Sequence, residues 1–144
     1  MPESTVFPTV VQVVLDTINA RALAEFYRQL FGFQYRPGDE PPTDGRADSR
    51  GNSWLVIRHP SGAPRIAFQQ VASLPHSTWP RNDVPQQLHL DTSITTKDEL
   101  DRQRTRALDL GAKLLYDRST DPVEPLRVYA DLDGHPFCIF VAPG

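Results

Sequence analysis

Nothing constrains the fold of this chain more than its repetition. Leu15-Asp16-Thr17 and Leu90-Asp91-Thr92 each end a strand-like run and precede a helix-like stretch that stops at glycine, Gly32 and Gly111 respectively. Further along each half, a turn glycine stands two residues before a proline: Gly62 before Pro64, and Gly134 before Pro136. Two copies of one supersecondary unit joined in tandem limit the architectures available.

The first copy opens on "PTVVQVVLD", Pro8–Asp16, whose β-branched and apolar residues suit a strand. Asn19 reads as the N-cap of "ARALAEFYRQLF", in which Leu23, Phe26, Tyr27, Leu30 and Phe31 recur at helical spacing. Gly32 sits where a left-handed C-cap residue belongs. "FQYR", "NSWLVIRH" and "RIAFQQV" read as three further strands. Between the first two of these, residues 37–51 are polar and rich in proline and glycine, which reads as a mobile surface loop. The second copy runs "QLHLDTSI", then a capping box at Thr96–Glu99, the helix "KDELDRQRTRALDL", and the strands "AKLLY", "LRVYADL" and "FCIFVA". Each copy is thus a βαβββ unit. The layout is one domain over 1–144, with module 1 at about 8–71, a proline-bearing connector at 72–86 and module 2 at about 87–142. The fold class is α+β, with paired curved sheets and the helices outside.

Composition narrows the partners. A net charge of −3 gives no electrostatic reason to expect nucleic acid or an anionic membrane. No apolar run approaches the roughly 20 residues that span a bilayer. The N-terminal stretch lacks a basic start followed by an apolar signal core, and the single cysteine, Cys138, cannot form an intrachain disulfide. A cytoplasmic location is the expectation. Phosphate loops, CxxC and HExxH motifs are absent.

Strand alternation then selects candidate site residues. Gln12 and Asp16 share one face of the first strand, and Gln87, His89 and Asp91 share one face of its counterpart. Val11, Val13, Leu15, Leu88 and Leu90 form the opposite, apolar faces. The polar stripes line either a ligand cavity or open solvent. His89 is either a ligand contact or a structural residue hydrogen-bonded to Asp16 or Asp91, and a His-Asp pair is also a general-base arrangement. Trp79, in the connector, either caps a pocket and stacks on a flat ligand or covers the core edge. Trp54 faces either the cup or the helices. His59 and His135 belong to Pro/Gly turns and read as solvated turn residues, and His76 falls in the connector. Cys138, between Phe137 and Ile139, reads as a small buried hydrophobe.

The ordered set "VLDTINARALAEFYRQLFGF", "RIAFQQV", "PQQLHLD", "LDLGAKLL" and "DLDGHPFCIF" resembles the vicinal oxygen chelate superfamily: glyoxalase, the bleomycin-resistance proteins and the extradiol dioxygenases. Within that superfamily it looks like a glyoxalase-like subgroup. The resemblance covers about Val10 to Val141 and implies that the modules form a curved, cup-shaped mixed β-sheet that holds a ligand, commonly in a homodimer. Where relatives carry a metal, the first and last strands of each module supply its ligands. Those positions fall on Gln12, Gln69, His89 and Cys138 in this chain. Two neutral amides, one imidazole and one thiol, with no glutamate, form a poor site for a divalent metal. The expectation is therefore metal-free binding of a small organic molecule by Gln12, Asp16, Gln69, Gln87, His89, Asp91 and Trp79, with no catalytic role assigned. The alternative is a metal-dependent lyase, isomerase or dioxygenase that uses His89 with Gln12, Gln69, Asp91 or Asp16.

Overall fold

A computed structural model describes residues 6–143. Module 1 contains β1 (Val13–Thr17), α1 (Ala20–Phe31), β2 (Gln34–Tyr35), β3 (Trp54–Arg58) and β4 (Arg65–Gln70). Module 2 contains β5 (Leu90–Ile94), α2 (Lys97–Asp109), β6 (Lys113–Arg118), β7 (Leu126–Ala130) and β8 (Pro136–Val141). Each module builds one four-stranded mixed sheet, in the orders β1-β4-β3-β2 and β5-β8-β7-β6. The strand that opens each module pairs in parallel with the one that closes it, Val13 opposite Ile66 and Leu90 opposite Phe137. The α+β fold of two βαβββ units follows the repeat in the sequence, and two open sheets of this order fit a curved cup.

The helices begin and end for local reasons. The Asn19 side chain accepts a hydrogen bond from the Ala22 backbone N–H, and Thr96 Oγ1 accepts one from Glu99, so both helices have side-chain N-caps. Gly32 closes α1 at φ 68°, a conformation that an L side chain adopts only at a cost. From α1, Leu23, Phe26, Tyr27 and Leu30 are buried. Tyr27 stacks on Phe68 of β4 at 6.0 Å between centroids and meets Phe137 of β8 edge-on at 5.9 Å. One helix therefore packs against both sheets, and one hydrophobic core serves both modules.

A buried polar clasp adds to this joint. The Tyr27 hydroxyl donates to Asp131 Oδ2 at 2.6 Å, and the backbone N–H groups of Asp133 and His135 donate to Asp131 Oδ1. Thr17 Oγ1 donates to Asp133 Oδ2 at 2.6 Å, and the Ile18 N–H donates to Asp133 Oδ1. The β7–β8 turn thereby grips the end of β1 and the body of α1. Burial pushes the Asp131 carboxyl above the usual carboxylate range, and burial beside this acid raises the Tyr27 hydroxyl.

Two sequence readings are corrected. The opening strand starts at Val13 rather than Pro8, because the ladder with β4 begins there; Val11 and Val13 consequently stay exposed instead of packing beneath a helix. Likewise β5 starts at Leu90, so Gln87 and His89 precede its ladder. The loop 37–51, read as mobile, is tied down at two points. Asp39 is fully buried, pairs with Arg36 and Arg50, and accepts the Val56 N–H at 2.9 Å. Arg21 of α1 holds Asp48 through two hydrogen bonds, at 2.8 and 2.9 Å.

Candidate functional site

The candidate residues divide between two neighbouring concavities. Asp16 and Gln69 are direct partners in the β1–β4 ladder and therefore project from the same face of sheet 1. With Gln87 they line a concavity of about 410 Å³, which Leu74, Val84 and Leu88 complete. Asp91 and Cys138 are direct partners across β5 and β8, and Val128 faces Cys138 from β7. His89 and Trp79 join them around a second concavity of about 330 Å³, whose far wall carries Tyr116 and Arg118. Gln86 and Pro136 line both, so the two hollows share a wall. Gln12 lines neither.

The connector is the reason for this division. Residues between Leu74 and Leu88 wall the first concavity, while Trp79, from the same segment, walls the second. The Trp79 ring is half-buried and stands edge-on to Tyr116, with centroids 6.2 Å apart and planes at 89°. Two aromatic surfaces at a right angle make a corner into which a flat molecule fits face against one ring and edge against the other. Trp54 pairs with Gln69 and so projects on the cup side of sheet 1.

The electrostatics of the second concavity are mixed. Burial first, and then the Asp91 carboxylate beside it, pushes the Cys138 thiol up to about 12. Cys138 therefore stays a protonated thiol, in line with its reading as a buried hydrophobe. Arg118 approaches Glu124 through Nη2 at 3.4 Å and Asp121 through Nε at 3.8 Å, and the buried Nε makes no hydrogen bond. A buried donor left unpaired costs free energy until an acceptor reaches it. His89 is exposed, and no hydrogen bond ties it to Asp16 or Asp91.

Sequence reasoning missed Tyr116, Arg118 and the role of His135. Rather than a solvated turn residue, His135 donates from Nε2 to the Asp16 carbonyl at 2.7 Å, which places the proton on Nε2 because a carbonyl can only accept. Its signal was its position in "DLDGHP", whose two aspartates already tie that turn to module 1. Tyr116 and Arg118 offered only the alternation of β6, which places both on the face that meets Trp79.

The four positions that relatives use for a metal do not form a donor set within this chain. Gln69 belongs to one hollow, His89 and Cys138 to the other, and Gln12 to neither. The one sulfur ligand would have to lose a proton held to about 12. Among the described residues no three His, Cys, Asp or Glu side chains come together as a metal site. The residues do not fit a divalent metal, and no chemistry is derived through one.

Comparison with solved structures gives the same architecture. A glyoxalase/dioxygenase from Nostoc punctiforme superposes with a TM-score of 0.67 over 100% of both chains at 18% identity. A glyoxalase/bleomycin resistance protein/dioxygenase family enzyme from Burkholderia phytofirmans gives 0.65 over 91% of this chain and 96% of its own, at 20% identity. A variant of the fosfomycin resistance protein FosX from Listeria monocytogenes, complexed with Mn(II) and a dihydroxypropylphosphonic acid, gives 0.66 over 95% and 94% at 16% identity. No curated protein matches the sequence. Residues 12–140 match the Glyoxalase-like domain, and the chain belongs to that family.

Proposed function

We propose that this protein binds a small, flat organic molecule without a metal, in the hollow lined by Trp79, Tyr116, His89, Asp91 and Arg118. The observation that carries this reading is the right-angled Trp79–Tyr116 corner beside the Arg118 guanidinium, whose Nε makes no hydrogen bond and has only Asp121, at 3.8 Å, as an ionic neighbour. The rings supply apolar contact, and the arginine supplies a donor for a carboxylate, carbonyl or other acceptor on the ligand. Asp91 and His89 add an acceptor and an imidazole at the opposite wall. A volume of about 330 Å³ lies at the small end of ligand pockets. The first concavity, with Asp16, Gln69 and Gln87, adjoins it and takes any extension of the ligand past Gln86 and Pro136.

The test uses intrinsic fluorescence. The chain has two tryptophans, so Trp54→Phe leaves Trp79 as the sole reporter. Titration with planar aromatic carboxylates and amides is expected to quench Trp79 saturably in the presence of chelator, and thermal shift should follow the same order of ligands. An unquenched Trp79 throughout, together with strong stabilisation by Mn, Ni, Zn or Fe, would falsify the reading. The second reading is a metal-dependent lyase, isomerase or dioxygenase, and it draws on the Mn(II) in the FosX complex. It predicts stoichiometric metal after gentle purification, lost in His89→Ala; an empty wild-type protein that gains nothing on metal addition counts against it.

A further inference from the structure

The two hollows of the cup meet at two residues that differ in kind. Pro136 opens β8, is buried, and pairs with Ala130 of β7, so its ring is fixed by the sheet. Gln86 belongs to the connector and is half-buried. The amides of Gln29, Gln70 and Gln103 are hydrogen-bonded, whereas among the described residues that of Gln86 is not. It keeps the rotamer freedom that a bonded amide gives up.

The backbone that carries Gln86 is braced on itself. Thr78 N–H donates to the Val84 carbonyl, and Val84 N–H donates in return to Thr78 Oγ1, both at 2.8 Å. Among the described residues, every hydrogen bond made by 72–86 stays within 72–86. Packing alone holds this loop to the modules. Trp79 stands against Tyr116, and His76 lies so near Gly134 that a Cβ there would meet it at 2.8 Å. Gln86 lies beyond the brace, two residues past Val84, and is held by neither contact.

The hollows on either side of this side chain match different chemistry. The second, with Trp79 and Tyr116, takes a flat ring. The first presents Asp16, Gln69 and Gln87, whose side chains have no hydrogen-bond partner among the described residues, between walls of Leu74, Val84 and Leu88. A carboxylate and two amide carbonyls are acceptors, so this hollow suits an arm that carries donors.

We propose that Gln86 is the specificity-determining residue of the cup, a movable partition between the two hollows. It admits ligands in which a flat ring at Trp79 and Tyr116 carries a slender, hydrogen-bond-donating arm that reaches Asp16, Gln69 and Gln87. This inference rests on the ligand reading above. With the partition in place, the ring is confined to about 330 Å³; an arm that passes over Pro136 gains the further 410 Å³ or so of the first hollow. A slender arm passes once the glutamine turns aside, and a bulky one is turned back, so the residue discriminates by what it excludes.

The test reads Trp79 fluorescence in the Trp54→Phe background with benzamide, N-(2-hydroxyethyl)benzamide and N-cyclohexylbenzamide. The hydroxyethyl arm should tighten binding at least about tenfold over benzamide, and Asp16→Ala should remove that gain. Gln86→Ala should shift the ratio of cyclohexyl to hydroxyethyl affinity at least about tenfold towards cyclohexyl. Gln86→Leu, which keeps the bulk, should restore the wild-type ratio. Such a ratio cancels any loss that a disturbed fold imposes on both probes. Benzamide binding with an unchanged ratio in Gln86→Ala, or a Gln86→Leu ratio that follows Gln86→Ala, overturns the partition and leaves the ligand reading standing. A hydroxyethyl arm that adds nothing overturns the proposed arm. Failure of all three probes to quench Trp79 removes the ligand reading and this inference together.

Discussion

The two modules share one plan, yet their helices and their β-turns contribute unequally to the shared core. At equal distances from their N-caps, α1 buries Phe26 and Leu30 while α2 offers Gln103 and Ala107. The hairpin glycines Gly62 and Gly134 align the two β-turns, so Asp131 and Asp133 correspond to His59 and Ser61. Asp131 and Asp133 are buried and bind module 1; His59 and Ser61 are exposed and bond each other, His59 Nδ1 to Ser61 Oγ at 2.7 Å. The duplicated plan keeps strand order and caps, which are set locally. It lets the interior diverge, so that the helix of module 1 and the β7–β8 turn of module 2 carry contacts that their counterparts lack.

This contrast predicts an ordered series of effects. Phe26→Ala should cost about 4 kcal/mol in urea unfolding, because it opens a cavity in the shared core, whereas Gln103→Ala should cost less than about 0.5 kcal/mol. Comparable losses from both would mean that the modules are equally packed. Next, Asp131→Ala strands the Tyr27 hydroxyl and two backbone N–H groups, for a loss of about 3 kcal/mol; its counterpart His59→Ala should lose no more than about 0.5 kcal/mol. On the cup side, Trp79→Ala should weaken ligand binding at least tenfold by calorimetry, about 1.4 kcal/mol, while Gln12→Ala, outside both hollows, should change it less than twofold. An equal loss from Gln12→Ala would place the ligand elsewhere.

The smallest effect is a titration in module 2. Hydrogen bonds from Ser119 and the Arg127 guanidinium hold Asp117 down to about 2. A depressed carboxylate stabilises the fold fully above its unfolded value near 4, and that contribution is lost as pH falls toward 2. The Asp117 side chain is 41% exposed, so solvent screening limits its share to about 0.5 kcal/mol. Comparing acid unfolding of wild type and Asp117→Asn checks it: the difference should vanish below about pH 2 and persist at pH 5.

Features read from the sequence with success are those fixed within a few residues. Asn19, Thr96 and Gly32 announce helix ends because a cap satisfies backbone groups three or four positions away. The module order follows from recurring apolar periods. The rest depends on contacts that leave no period. Asp39 lies in a stretch of proline, glycine and charge, and a carboxylate there reads the same whether it is solvated or buried against Val56 and two arginines. His135 and the two aspartates of its turn are set by groups more than a hundred residues away. The separation of Asp16 from His89 into different hollows follows from the path of the connector, which strand alternation alone does not describe.

Asp39 also bears on how this molecule meets others. β2 is only two residues long, so it leaves part of the outer edge of β3 without a strand neighbour. There the Asp39 carboxylate takes the Val56 N–H that a longer strand would have used. An incoming strand finds that donor already engaged and a buried, arginine-flanked charge in its path. On that side of sheet 1 a side chain ends the ladder, while the β1 side stays open. Sheet 1 is therefore extended more readily at its β1 margin than where Asp39 stands, so any strand added to this sheet is directed to one side of the molecule.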